Sequence, residues 1–158
     1  MSTYKGMAAL KAKLEAKKSR IRLRYKCYEM KYQAADMGIS SPPDLKHYMS
    51  VMGWCSKAVD SIADRLVFRE FGNDVFDMNG IFTANNRDVL IDSAILGALI
   101  SSCDFIYISI DDNGYPSLQV VEGQFATGVI DPTTNMLKEG YAVLEYDRLG
   151  NPVTEAYL

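Results

Sequence analysis

A chain of 158 residues, 48% hydrophobic and 23% charged, is one domain long and lies near the globular average, which excludes disorder and fibrous repeats. The lysine-rich start lacks an apolar run, and the longest apolar-rich stretch, Val89 to Ile100, is interrupted by Asp92 and Ser93, so neither a signal peptide nor a membrane span is expected. The net charge of -3 divides unevenly, with +7 over Met1–Asp36 and -10 over Met37–Leu158, so a basic segment is joined to an acidic body that it can pair with, in its own or a neighbouring subunit, or carry to nucleic acid.

From Lys5 to Asp36 the chain is rich in Ala, Leu, Lys, Arg, Glu and Met and has no proline, which predicts one long helix over the first 36 residues. Met7, Leu14, Ile21, Tyr28 and Ala35 recur every seven residues, with Leu10, Tyr25 and Tyr32 in the adjacent row. This narrow apolar stripe faces either the chain's own domain or another subunit, and in the second case Met7, Leu14, Ile21, Tyr25, Tyr28 and Tyr32 are the contact residues. The Gly38–Pro43 segment ends the helix. A second helix is predicted over Asp44–Leu66, with Val51, Trp54, Cys55, Ala58, Val59, Ile62, Ala63 and Leu66 as its buried face and Trp54 as the largest anchor. The one histidine, His47, sits in its first turn without an evident partner.

Leu66–Phe71 alternates apolar and charged residues before Gly72 and Asn73, predicting a short edge strand. Asp74 is placed to cap a short helix running to Ala84, and Asn85 or Asn86 to cap a third long helix over Arg87–Ser101, whose apolar character makes it central. From Asp104 the hydrophobic period changes to two. The strands Phe105–Ile110, Ser117–Val121, Ala126–Ile130, Gly140–Tyr146 and Val153–Leu158 are separated by turn-forming segments, so residues 104–158 read as an antiparallel meander. The predicted fold class is α+β, in which helices, including the 37–103 region, precede the sheet. Ending inside a strand, the chain reads as a fragment of a longer protein.

Catalytic chemistry is poorly served. A serine or cysteine nucleophile lacks a base other than His47, and neither a G-x-S-x-G elbow nor a phosphate-binding glycine loop is present. Cys27, Cys55 and Cys103 are odd in number and far apart, so they read as small buried hydrophobes in a reducing compartment rather than as a disulfide framework or metal knuckle. Asp111 and Asp112 read as hairpin-turn residues, not calcium ligands. Asp60 and Asp64, one helical turn apart, read as a charged outer face rather than a carboxylate pair. No cofactor or metal is expected, and the chain reads as a non-enzyme.

Several ordered motifs resemble the N-terminal part of tailed-bacteriophage portal proteins of the Gp6-like family. Tyr25, Tyr28 and Tyr32 before the proline-rich loop resemble the tyrosine-rich segment near that family's start. Asp60, Ala63, Asp64, Arg65 and Leu66 reproduce a D-x-x-A-D/E-R-L helix end, followed by the short segment Val67–Phe71. Ile81–Asn86, Asp104–Ile108, the D-x-G-x-P hairpin Asp112–Pro116 and Ile130–Thr134 follow in family order, so that the likeness covers about residues 20 to 158. Two departures stand out: Ser101 and Ser102 lie where such proteins usually have a glycine, and the stem, clip and crown regions are missing.

The resemblance implies a wing region on the outside of a homo-oligomeric ring, commonly of twelve subunits, through which double-stranded DNA is packaged and ejected. It implies terminase, capsid and head-tail adaptor proteins as partners, no membrane, and a place in the virion after assembly in the host cytoplasm. The alternative from another class is a small DNA-binding protein gripping phosphates with its first helix. The residues concerned are Lys17, Lys18, Arg20, Arg22 and Arg24, with Lys11, Lys13 and Lys26 beside them.

Overall fold

The structure, a computed structural model, describes residues 5–31 and 53–158. Four helices, α1 (Gly6–Tyr28), α2 (Trp54–Ala63), α3 (Met78–Ala84) and α4 (Arg87–Ser101), precede five strands. The strands are β1 (Asp104–Ile110), β2 (Pro116–Glu122), β3 (Ala126–Ile130), β4 (Leu137–Tyr146) and β5 (Pro152–Tyr157). The class is α+β, with antiparallel pairing throughout.

α1 stops at Tyr28 rather than Asp36. The cause is conformational: Met30 takes a left-handed φ of 57°, and the amides of Met30 and Lys31 turn back to the carbonyls of Cys27 and Lys26. That pair of bonds closes the last turn as a Schellman motif, normally built on glycine, which is why no breaker in the sequence announced it. Tyr32, Ala35, Gly38–Pro43, His47 and Val51 lie outside the described residues.

The seven-residue stripe packs inside the chain. Leu10 and Leu14 of α1 are buried against Tyr141 and Val143 of β4, with Met7, Val129 and Tyr146 around them, and Ile21 is as deeply buried. Strand β4 lies centrally in a sheet of order β3-β4-β5, so alternate residues such as Glu139, Tyr141 and Val143 all face one side. The helix's charged start is held there too. Glu139, with only 1% of its surface accessible, accepts the amides of Lys5 at 2.7 Å and Gly6 at 2.8 Å, a carboxylate meeting the positive end of the α1 dipole.

The meander divides into two sheets, the hairpin β1-β2 and the three-stranded β3-β4-β5. Residues Gly123–Phe125 turn the chain between them, so β2 and β3 are not hydrogen-bonded neighbours. The hairpin turn is built as its residues suggest: Asp111 accepts the amides of Asn113 and Tyr115 through one oxygen, and Gly114 takes φ 81°.

α4 occupies the span read from sequence and touches α1, α2, α3, β1 and β2. It is nonetheless open on one side, leaving Val89 exposed and burying only Leu90, Gly97, Ile100 and Ser101. At its end Ser102 adopts φ 81°, the left-handed geometry that glycine accepts most easily. This residue belongs to the Ser101-Ser102 pair, where the family likeness led to the expectation of a glycine.

Residues Leu66–Phe71 form no strand. Instead the amide and carbonyl of Phe71 are both taken by the side chain of Asn79, at 2.9 and 3.1 Å, so a side-chain amide replaces the neighbouring strand. Phe68, Phe71 and Phe82 stack into one aromatic cluster with centroids 4.9 to 6.4 Å apart, which fixes this irregular segment beside α3. Asp74 caps α3 from a distance, its carboxylate accepting the amides of Met78 and Asn79. Asn86 occupies the N-cap of α4 without a side-chain bond, whereas Asn85 ties α3 to β2 by bonding the carbonyls of Ile81 and Pro116 and the amide of Leu118.

Candidate assembly surface

The basic residues of α1 are the first candidates for a functional face, and the fold commits several of them internally. Lys13 and Lys17, one helical turn apart, donate to the carbonyls of Gly128 at 2.7 Å and Ala126 at 2.9 Å. Four helical residues advance about 6 Å and two strand residues about 6.7 Å, so the two lysines match the repeat of the carbonyls on the free edge of β3. They cover an edge that would otherwise invite another strand. Burial lowers the pKa of the Lys17 ammonium, with the neighbouring Cys103 acting in the opposite direction. Lys11 pairs with Glu155 at 2.8 Å and lies 5.4 Å from the Tyr141 ring centroid. Lys18 pairs with Glu15 at 2.7 Å and lies 5.9 Å from that of Tyr146. Arg24 donates to the carbonyl of Ser101 and the hydroxyl of Ser102. Arg20, Arg22 and Lys26 remain exposed.

The proposed subunit-contact residues divide in the same way. Leu14 and Ile21 are each only 2% accessible in the single chain, so they have no surface to offer a neighbour, and Met7 packs on the same cluster. Tyr25 and Tyr28 are half-buried. Tyr28 donates to Asp60 of α2 at 2.7 Å, and this bond is the first cause of its raised pKa; burial, followed by Glu122 and Asp104, raises that of Tyr25.

The apolar surface that does face outward lies elsewhere. Trp54, read as a core anchor, is 76% exposed, and α2 contains no buried residue. Ile62, Leu66, Val67, Val75 and Phe76 follow it on the surface, the last two more than 80% exposed. Cys55 is exposed as well, while Cys27 and Cys103 are half-buried, so none of the three is the fully buried hydrophobe expected. Between α2, the Leu66–Phe68 segment and α4 runs a groove of about 590 Å³ floored by Ala63, Leu66, Val67, Ile91, Ile95 and Leu96. Asp60, Asp64, Asp88 and Asp92 line it, with no basic residue among the described lining residues. Sequence reasoning places Asp60 and Asp64 one turn apart, read as a charged outer face, and misses their neighbours Asp88 and Asp92, because only the packing of α4 on α2 brings the two pairs together.

The groove is suited to holding an apolar, positively flanked segment. Asp88 meets Arg87 at 3.2 Å and Asp60 accepts Tyr28, whereas Asp64 and Asp92 have no ion pair among the described residues. Among those residues no group of three or more His, Cys, Asp or Glu is arranged to hold a metal ion, and no helix is long and apolar enough to cross a membrane. No protein-family model matches the chain, and no curated protein matches it either.

Proposed function

We propose that this chain is a structural module of a phage portal, the wing region of the ring through which double-stranded DNA enters and leaves a capsid, and that it acts by assembly rather than catalysis. The observation that carries the assembly part is the apolar surface left outside a well-packed interior. Trp54, Ile62, Leu66, Val67, Val75 and Phe76 stand exposed in close chain order, while Leu10, Leu14, Ile21 and Tyr141 fill the core. Leu66 and Val67 line one groove with Ile91, Ile95 and Leu96, and apolar surface gathered in one place marks an interaction face. The portal part rests on the ordered motifs from Tyr25 to Thr134, and the left-handed Ser102 agrees with it, since the likeness puts a glycine at the Ser101-Ser102 pair.

Phosphate gripping by α1 is the weaker reading. Of Lys17, Lys18, Arg20, Arg22 and Arg24, only Arg20 and Arg22 lack an internal partner among the described residues, and these two with the neighbouring exposed Lys26 give a shallow salt dependence. Terminase, capsid and adaptor proteins belong to the portal reading as its expected partners. Negative-stain electron microscopy of the purified gene product, with an antibody against the β1-β2 hairpin, tests the proposal. Closed rings labelled at their outer rim support it; dispersed particles of monomer size refute it.

A further inference from the structure

We infer that the groove between α2 and α4 receives the outer face of α1 from a second copy of this chain, so that copies join head to tail. The inference deepens the ring reading by naming the two surfaces that meet. On the solvent side of α1, Ala16, Ser19, Leu23 and Lys26 are all exposed, Leu23 at 45%. Their spacing of three, four and three residues puts them in one stripe. The small residues allow close approach of another helix, and Leu23 supplies an apolar projection. Arg20 and Arg22, also exposed, flank the stripe on either side.

The groove is the complement of that face. Its floor is aliphatic and its described lining carries four aspartates and no cation, against a helix segment whose free charges are positive. Length is comparable as well: the α4 residues lining the groove run from Asp88 to Leu96, about 12 Å at 1.5 Å per residue, and Ala16 to Lys26 covers about 15 Å. Charge here selects the partner and its orientation, with burial of Leu23 and the groove floor supplying the apolar contact.

The two surfaces are different, so the contact is heterologous. A chain with an open groove and a separate open helix face adds copies in one direction, and closes into a ring when the rotation per copy permits. An isologous dimer leaves no such open ends.

Two variants test this, Asp64→Asn/Asp92→Asn in the groove and Arg20→Glu/Arg22→Glu on the helix, all at exposed positions where circular dichroism and melting temperature are expected to match wild type. Native mass spectrometry at low salt is expected to show self-association of wild type, weakened at least tenfold in either variant alone. An equimolar mixture of the two variants retains one intact groove and one intact helix face, and is expected to give a 1:1 heterodimer that grows no further. A monomeric wild type, undiminished association of either variant, or a mixture that stays monomeric overturns the inference. Rings that persist in the groove variant overturn it while leaving the portal proposal standing, whereas a capped heterodimer from a gene product that never forms rings does the reverse.

Discussion

Truncating Leu14 to alanine separates a core residue from a subunit contact. Leu14 is 2% accessible and lies against Leu10, Tyr141 and Val143, where α1 crosses the middle strand of the three-stranded sheet. Its loss removes buried methyl groups and leaves a cavity between a helix and a sheet held in place by Glu139 and by Lys13 and Lys17, which limits collapse. Buried leucine truncations of this kind cost about 2–5 kcal/mol. For a chain of this size each kcal/mol corresponds to about 2–4 °C, so a central loss of about 3 kcal/mol lowers the melting temperature by about 6–12 °C. The assay is thermal denaturation at two protein concentrations tenfold apart, with Phe76→Ala as companion. Leu14→Ala is expected to lower the melting temperature equally at both concentrations, and Phe76→Ala, at an exposed site, to leave that of the monomer within about 1 °C. A Leu14→Ala protein with unchanged monomer stability but weakened self-association refutes the packing described for the stripe.

Gly97→Ala is expected to destabilise even though alanine favours helices, because a β-carbon there overlaps Asp104 Oδ2, a buried oxygen with no hydrogen-bond partner among the described residues. Overpacking of this sort costs about 1–3 kcal/mol, measurable by urea titration, and Asp104→Ser in the same chain is expected to recover part of it. At Ser102, glycine is expected to exceed alanine by about 1–2 kcal/mol, since both lose the hydroxyl that Arg24 reaches and only glycine tolerates φ 81° without strain; equal stabilities contradict the left-handed assignment. Glu139→Gln tests the cap on α1 by pH. The Lys5 amide, and after it that of Gly6, hold the Glu139 carboxyl below its ordinary value of 4.5, so its stabilisation is full above that value and is lost as pH falls through the native pKa. Wild type is therefore expected to lose stability below about pH 4.5 more steeply than Glu139→Gln; Glu155, depressed chiefly by Lys11, keeps part of the acid slope in both.

Much of the fold is legible from side-chain periodicity. α4, the β1-β2 hairpin and the later strands fall where the change of hydrophobic period puts them, because local propensity and tertiary packing agree there. Four readings differ for identifiable reasons. α1 ends early because Met30 accepts a left-handed conformation that its side chain does not advertise. Leu66–Phe71 has the alternation of a strand but finds Asn79 instead of a neighbouring chain. The sheet divides because Gly123 and Gln124 turn the backbone tightly after β2. Trp54 follows a buried helical pattern yet faces outward, since periodicity defines an apolar face without saying what covers it. The candidate surface was half legible: Asp60 and Asp64 share a helix, and Asp88 and Asp92 join them only through the contact of α2 with α4. The lysines of α1 show the converse. Their charge suggested a phosphate partner, and their spacing matches the carbonyl repeat of β3.

The claim that these exposed surfaces serve ring assembly is tested most directly by the native mass of the purified gene product at low ionic strength. A closed species of fixed stoichiometry, at about a dozen monomer masses and unchanged on further concentration, is the expected result. A protein that stays at a single monomer mass, 17.6 kDa for this chain, across the same concentration range contradicts it.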